Sequence, residues 1–84
     1  MGKNDKLVDR ILRGTSDADI GFEDLCRLLR RLGFGERTMD SHHIFRRPGV
    51  EERLNLQESG AKAKPYQVRQ VRAVLLKYHL IEGE

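Results

Sequence analysis

The chain has 84 residues, room for one small core and no second domain of ordinary size. Apolar residues make up 38% and charged residues 35%, which describes a compact, well-solvated domain rather than a disordered tail. No run approaches the roughly 18–20 consecutive apolar residues of a membrane span. Cys26 is the single cysteine, so an internal disulfide is excluded, and the opening Met-Gly-Lys-Asn-Asp-Lys lacks the apolar stretch of a secretory leader. A cytoplasmic protein that makes no use of a membrane is expected.

The formal net charge of +3 is unevenly placed: residues 1–40 hold eight basic and eight acidic side chains, residues 41–84 eight basic and five acidic. Between Ser59 and Leu80 stand five cations (Lys62, Lys64, Arg69, Arg72 and Lys77) and no acid. Such a stretch is expected to create a positive field able to attract a polyanion. The alternative is a solvated helix face.

In chain order, Asn4 is placed to cap a short amphipathic helix whose apolar side is Leu7, Val8, Ile11 and Leu12, and Gly14 ends it. Residues 14–19 are polar and predict a loop. From Gly21 to Leu32 the helical period is strong. Phe22, Leu25, Cys26, Leu28, Leu29 and Leu32 fall within an arc of about 160°, with Arg27, Arg30 and Arg31 on the other side. Gly33 supplies the stop. Cys26, at the edge of the apolar arc, is expected to be a packed thiol.

Three strands are predicted next, over Glu36–Asp40, His42–Arg47 and Arg53–Gln57. The third alternates, with Leu54 and Leu56 on one face and Arg53, Asn55 and Gln57 on the other. Pro48-Gly49 marks a turn between the second and third. After a small cationic loop, Pro65 occupies a favoured first helical position, and Val68, Val71, Val74, Leu75 and Tyr78 form the inward stripe of a last helix. The order α-α-β-β-β-α implies an α+β two-layer domain, a three-stranded antiparallel sheet with helices on one face.

The chain contains no Gly-rich phosphate loop, no Cys-x-x-Cys, no His-x-x-x-His and no acidic metal-binding loop. What it contains is Ser41-His42-His43-Ile44-Phe45. On a strand the two histidines face opposite ways, so they do not share one metal. An imidazole titrates near neutral pH and can both take and give a proton. Set among cations that hold a phosphodiester, it could cleave RNA without a metal. The alternative is a pair of strand histidines that merely bond their neighbours.

The run Phe22-Glu-Asp-Leu-Cys-Arg-Leu-Leu-Arg-Arg-Leu-Gly-Phe34, then Ser41-His-His-Ile-Phe-Arg-Arg-Pro-Gly49, then Lys64-Pro-Tyr-Gln-Val68, resembles the HicA family of bacterial toxins. These are small messenger-RNA interferases with a fold like the double-stranded-RNA-binding domain. The resemblance spans roughly residues 21–80. It implies a helix-and-loop extension over residues 1–20 and a HicA-like domain over residues 21–84.

In that family the functional histidine follows a Gly/Ser pair and precedes an aromatic by three positions, which assigns the general acid/base role to His42, ahead of Phe45. Ser41, Arg46, Lys62, Lys64 and Arg69 are then the candidate RNA contacts, with no metal and no small-molecule cofactor. The expected protein partner is a HicB-like antitoxin that masks the histidine. The chain departs from the family at Asp40, where Gly is common, and at Glu58-Ser59-Gly60, commonly His-Pro-Gly. Two other readings follow from the same residues. One is an RNA-binding module without cleavage activity, and the other an interaction protein docked through an open sheet edge.

Overall fold

The computed structural model describes the backbone of residues 3–81 and the side chains of residues 6–81. The elements follow in the order α1 (Lys3–Arg13), a 3-10 turn (Asp17–Asp19), α2 (Phe22–Arg31), β1 (Gly35–Met39), β2 (His42–Arg47), β3 (Val50–Gln57) and α3 (Pro65–Lys77). The strands form one antiparallel sheet in the order β1-β2-β3. This is a small α+β fold, and α2-β1-β2-β3-α3 is the arrangement of a double-stranded-RNA-binding domain.

The helix boundaries follow local signals, while β1 lies one residue earlier than expected because Asp40 turns into the left-handed region. Gly33, with φ of 94°, takes the left-handed conformation just past α2. Its N–H donates to the Arg30 carbonyl and the N–H of Phe34 to the Leu29 carbonyl, a Schellman closure. Pro65 opens α3, and there the side chain of Gln67 reaches back to accept the N–H of Lys64 at 3.1 Å. The expected Asn4 cap falls on a side chain outside the described set.

The β2 boundaries are those predicted. β3 begins three residues earlier than expected, at Val50, because the two-residue turn Pro48-Gly49 pairs Arg47 with Val50 and then shifts register between Phe45 and Arg47. Val50-Glu51-Glu52 shows no alternation of its own and is strand because β2 lies beside it.

Alternation along the strands divides the sheet into two faces. Phe45, Leu54 and Leu56 point to the helices and are fully buried. They meet Phe22, Leu25, Leu28 and Leu29 of α2 and Val68, Val71 and Leu75 of α3 in one cluster. Ile11 of α1 and Ile20 belong to the same cluster, so the N-terminal extension shares the core of the rest. Arg72 of α3 fixes it there. Its guanidinium donates to the Asp17 carboxylate at 2.9 and 3.3 Å and to the Ile11 carbonyl at 3.1 Å. No described helix is long and apolar enough to cross a membrane.

Candidate nucleic-acid interface

The outer face of the sheet carries no helix, and on it stand Arg37 and Met39 of β1, His42, Ile44 and Arg46 of β2, and Arg53, Asn55 and Gln57 of β3. His42 lies between Met39 and Gln57 in the register, next to the two-residue turn Asp40-Ser41. Asp40 takes a φ of 56° and Ser41 a negative one, so the turn demands the left-handed region at its first position. Glycine meets that demand without strain, and aspartate tolerates it.

The imidazole of His42 is half-buried, and its Nδ1 lies 3.1 Å from Asn55 Oδ1. An amide oxygen only accepts, so Nδ1 carries the hydrogen and donates it. Nε2 has no partner among the described residues, and in the neutral ring it keeps its lone pair. A neutral histidine held in this tautomer presents a base to whatever lies against the open face.

The same end of the sheet is tied together by further bonds. The N–H of Glu58 donates to the Ser41 carbonyl at 2.8 Å, and the side chain of Gln67 donates to the Gln57 carbonyl at 3.1 Å. Ser41 and the first turn of α3, with Lys64 before it, therefore gather at the His42 end. Arg46 does not. It is two pairs further along β2, roughly 13 Å from His42 at strand spacing, beside Arg53. Arg37 is closer. It pairs with Ile44, which sets it diagonal to His42 at roughly 7–8 Å, within the span of an arginine side chain. Sequence reasoning missed Arg37 because the strand that carries it has no apolar alternation to reveal its register. The concavity at the β2–β3 turn, lined by Arg46, Arg47, Pro48, Gly49, Val50 and Glu51, opens at the end of the sheet away from His42.

The cationic stretch after Ser59 does not act as one positive field. Lys62 pairs with Asp19 at 2.9 Å, Arg72 with Asp17 at 2.9 Å and Lys77 with Glu52 at 2.8 Å. Lys62 and its hydrogen bond hold the Asp19 carboxyl below its ordinary range. Lys77, with the Tyr78 hydroxyl at 2.6 Å, brings Glu52 down to about 2. Of the five cations only Lys64 and Arg69 lack an acid among the described residues, and both are exposed on or just before α3. Lys62, expected to contact RNA, is instead engaged beside the N-terminal extension. Among the described residues, the cations of the open face without an acid partner are Arg37, Arg46 and Arg53. Asp40 and Glu58 are the acids nearest to the His42 end.

His43 faces the other way. Its Nδ1 lies 2.6 Å from Glu36 Oε2, its Nε2 lies 3.4 Å from Glu58 Oε1, and its ring meets Phe22 edge-on with centroids 5.2 Å apart. Arg30 of α2 binds the second oxygen of Glu36 at 2.6 Å and holds that carboxyl below its usual value.

Searches against protein-family models, curated proteins and solved structures return no match for this chain.

Proposed function

We propose that the chain is a HicA-like toxin, the endoribonuclease component of a type II toxin–antitoxin system, and that it cleaves messenger RNA in the cytoplasm without a metal. The observation that carries this reading is the placement of His42. Its ring stands on the open sheet face, Asn55 holds the proton on Nδ1, Nε2 is free, and Arg37 lies on the diagonal.

In this reading a ribose hydroxyl gives its proton to Nε2 as its oxygen attacks the adjacent phosphorus. The P–O5′ bond breaks, and the imidazolium returns the proton to the departing oxygen. Arg37 neutralises the charge that develops at phosphorus, while Lys64 and Arg46 hold the strand on either side. A proton-transfer group of this kind supplies ~10²–10⁴-fold in rate. The open face that would receive RNA is also the surface a HicB-like antitoxin would cover to mask His42.

The test is induction of the wild-type chain and of His42→Ala in cells, with growth and transcript integrity followed and partner-free protein assayed in EDTA. The expected result is growth arrest and cut transcripts with wild type only, and cleavage that persists in EDTA. Full toxicity of His42→Ala would remove His42 from the chemistry.

Asp40, in the turn next to His42, favours a second reading, an RNA-binding module that does not cut. It predicts RNA affinity that falls steeply with salt, as counterions are released, and no cleavage by wild type, with cleavage gained by Asp40→Gly where the loss is local.

A further inference from the structure

On the covered side of the sheet, Cys26 of α2, Glu36 of β1 and His43 of β2 each bring one ligand atom to within 4.8 Å of the other two. We propose that these three side chains form a binding site for a divalent transition-metal ion of the zinc type, separate from the His42 face. Thiolate, imidazole and carboxylate together are a donor set that zinc takes in tetrahedral sites, whereas magnesium and calcium prefer oxygen alone.

The geometry around each donor suits the role. Nδ1 of His43 lies 2.6 Å from Glu36 Oε2. The opposite nitrogen, Nε2, faces Glu58 at 3.4 Å. A carboxylate on the second ring nitrogen orients a metal-bound histidine and raises its basicity. Arg30 grips both oxygens of Glu36, Nε donating to Oε1 at 2.6 Å and Nη2 to Oε2 at 3.2 Å, which fixes the orientation of the carboxylate. Oxygen and nitrogen donors at about 2.0 Å from a tetrahedral ion stand roughly 3.3 Å apart, so the two side chains need only separate by several tenths of an ångström to admit it.

Cys26 is fully buried, and burial pushes its thiol up to about 12. As the metal–sulfur bond forms the S–H bond breaks, and the proton leaves to solvent. Thiolate and carboxylate then match the two charges of the ion. The three donors come from α2, β1 and β2, so a bound ion ties the helix to two strands and adds its binding free energy to folding.

The experiment uses the full chain stripped with a chelator, titrated with Co²⁺ and then Zn²⁺, and followed by absorption and thermal unfolding. The expected result is one equivalent bound, a thiolate-to-cobalt charge-transfer band that Zn²⁺ abolishes, and a melting temperature that rises with Zn²⁺. In the near-isosteric Cys26→Ser the band disappears and Zn²⁺ affinity falls at least ~10-fold, as it also does in Glu36→Gln. His42→Ala keeps both. The proposal is overturned if the folded wild-type chain shows neither band nor thermal shift at millimolar metal, or if Cys26→Ser binds Zn²⁺ with wild-type affinity.

Discussion

His42 and His43 are neighbours in the chain and occupy opposite sides of β2, and their surroundings share almost nothing. On the covered side His43 is wedged against Phe22 and set between Glu36 and Glu58, inside a network that Arg30 anchors to α2. On the open side His42 makes one described side-chain bond, to Asn55, and keeps Nε2 for something outside the chain. Two copies of one residue type thus divide into a structural group and a candidate chemical one by strand parity alone. A site for a strand of RNA needs groups that face solvent, and on the covered side the His43 ring is turned instead to the carboxylates of Glu36 and Glu58.

Four comparisons would break or sharpen that contrast. The largest effect is expected from the next pair along β2. Phe45→Ala empties a fully buried position and should cost about 3–5 kcal/mol, whereas Ile44→Ala on the open face should cost about 1 kcal/mol. Denaturant unfolding checks both, and equal losses would mean that the outer face is covered in solution. For the histidines, His43→Ala strands the Glu36 and Glu58 carboxylates and should cost about 1–3 kcal/mol. His42→Ala should stay within about 1 kcal/mol of wild type.

The cations of the open face come next. Arg37→Ala and Arg46→Ala should each lower RNA affinity and reduce the slope of log affinity against log salt by about 1. Lys62→Ala should leave that slope unchanged, because Lys62 is engaged with Asp19; fluorescence anisotropy at several salt concentrations separates the cases. The smallest effect concerns Glu52, an inner-face acid. Its carboxyl is brought from 4.5 down to about 2 by Lys77 and then Tyr78, so folding favours the ionised form. That contribution is complete above pH 4.5 and is lost as the pH falls towards 2. Glu52→Gln should therefore be less stable than wild type at neutral pH, with the gap closing across that window in acid unfolding curves.

The sequence made the two-layer fold legible because its signals were local. The apolar arc of Phe22–Leu32, the Gly33 stop, the alternation at Leu54 and Leu56, and Pro65 at a helix start each act within a few residues. The parity of His42 and His43 was legible for the same reason. Charge was not. The acid-free stretch after Ser59 reads equally as a positive field or a solvated face, and three of its five cations pair with Asp17, Asp19 and Glu52, partners remote in the chain that only the fold brings within reach. Arg37 escaped notice because a diagonal across two strands depends on register, and Gly35–Met39 has no apolar alternation to fix one. The Cys26–Glu36–His43 cluster was hidden likewise, since its members come from three elements and share no spacing motif.

The central claim is that His42 moves the proton in RNA cleavage, and the most direct measurement is the single-turnover rate of a purified, partner-free chain on an oligoribonucleotide. Wild type should cut it and spare the 2′-deoxy analogue, and His42→Ala, shown by its unfolding curve to be folded, should be slower by at least ~10²-fold. A folded His42→Ala that cuts at the wild-type rate would contradict the account.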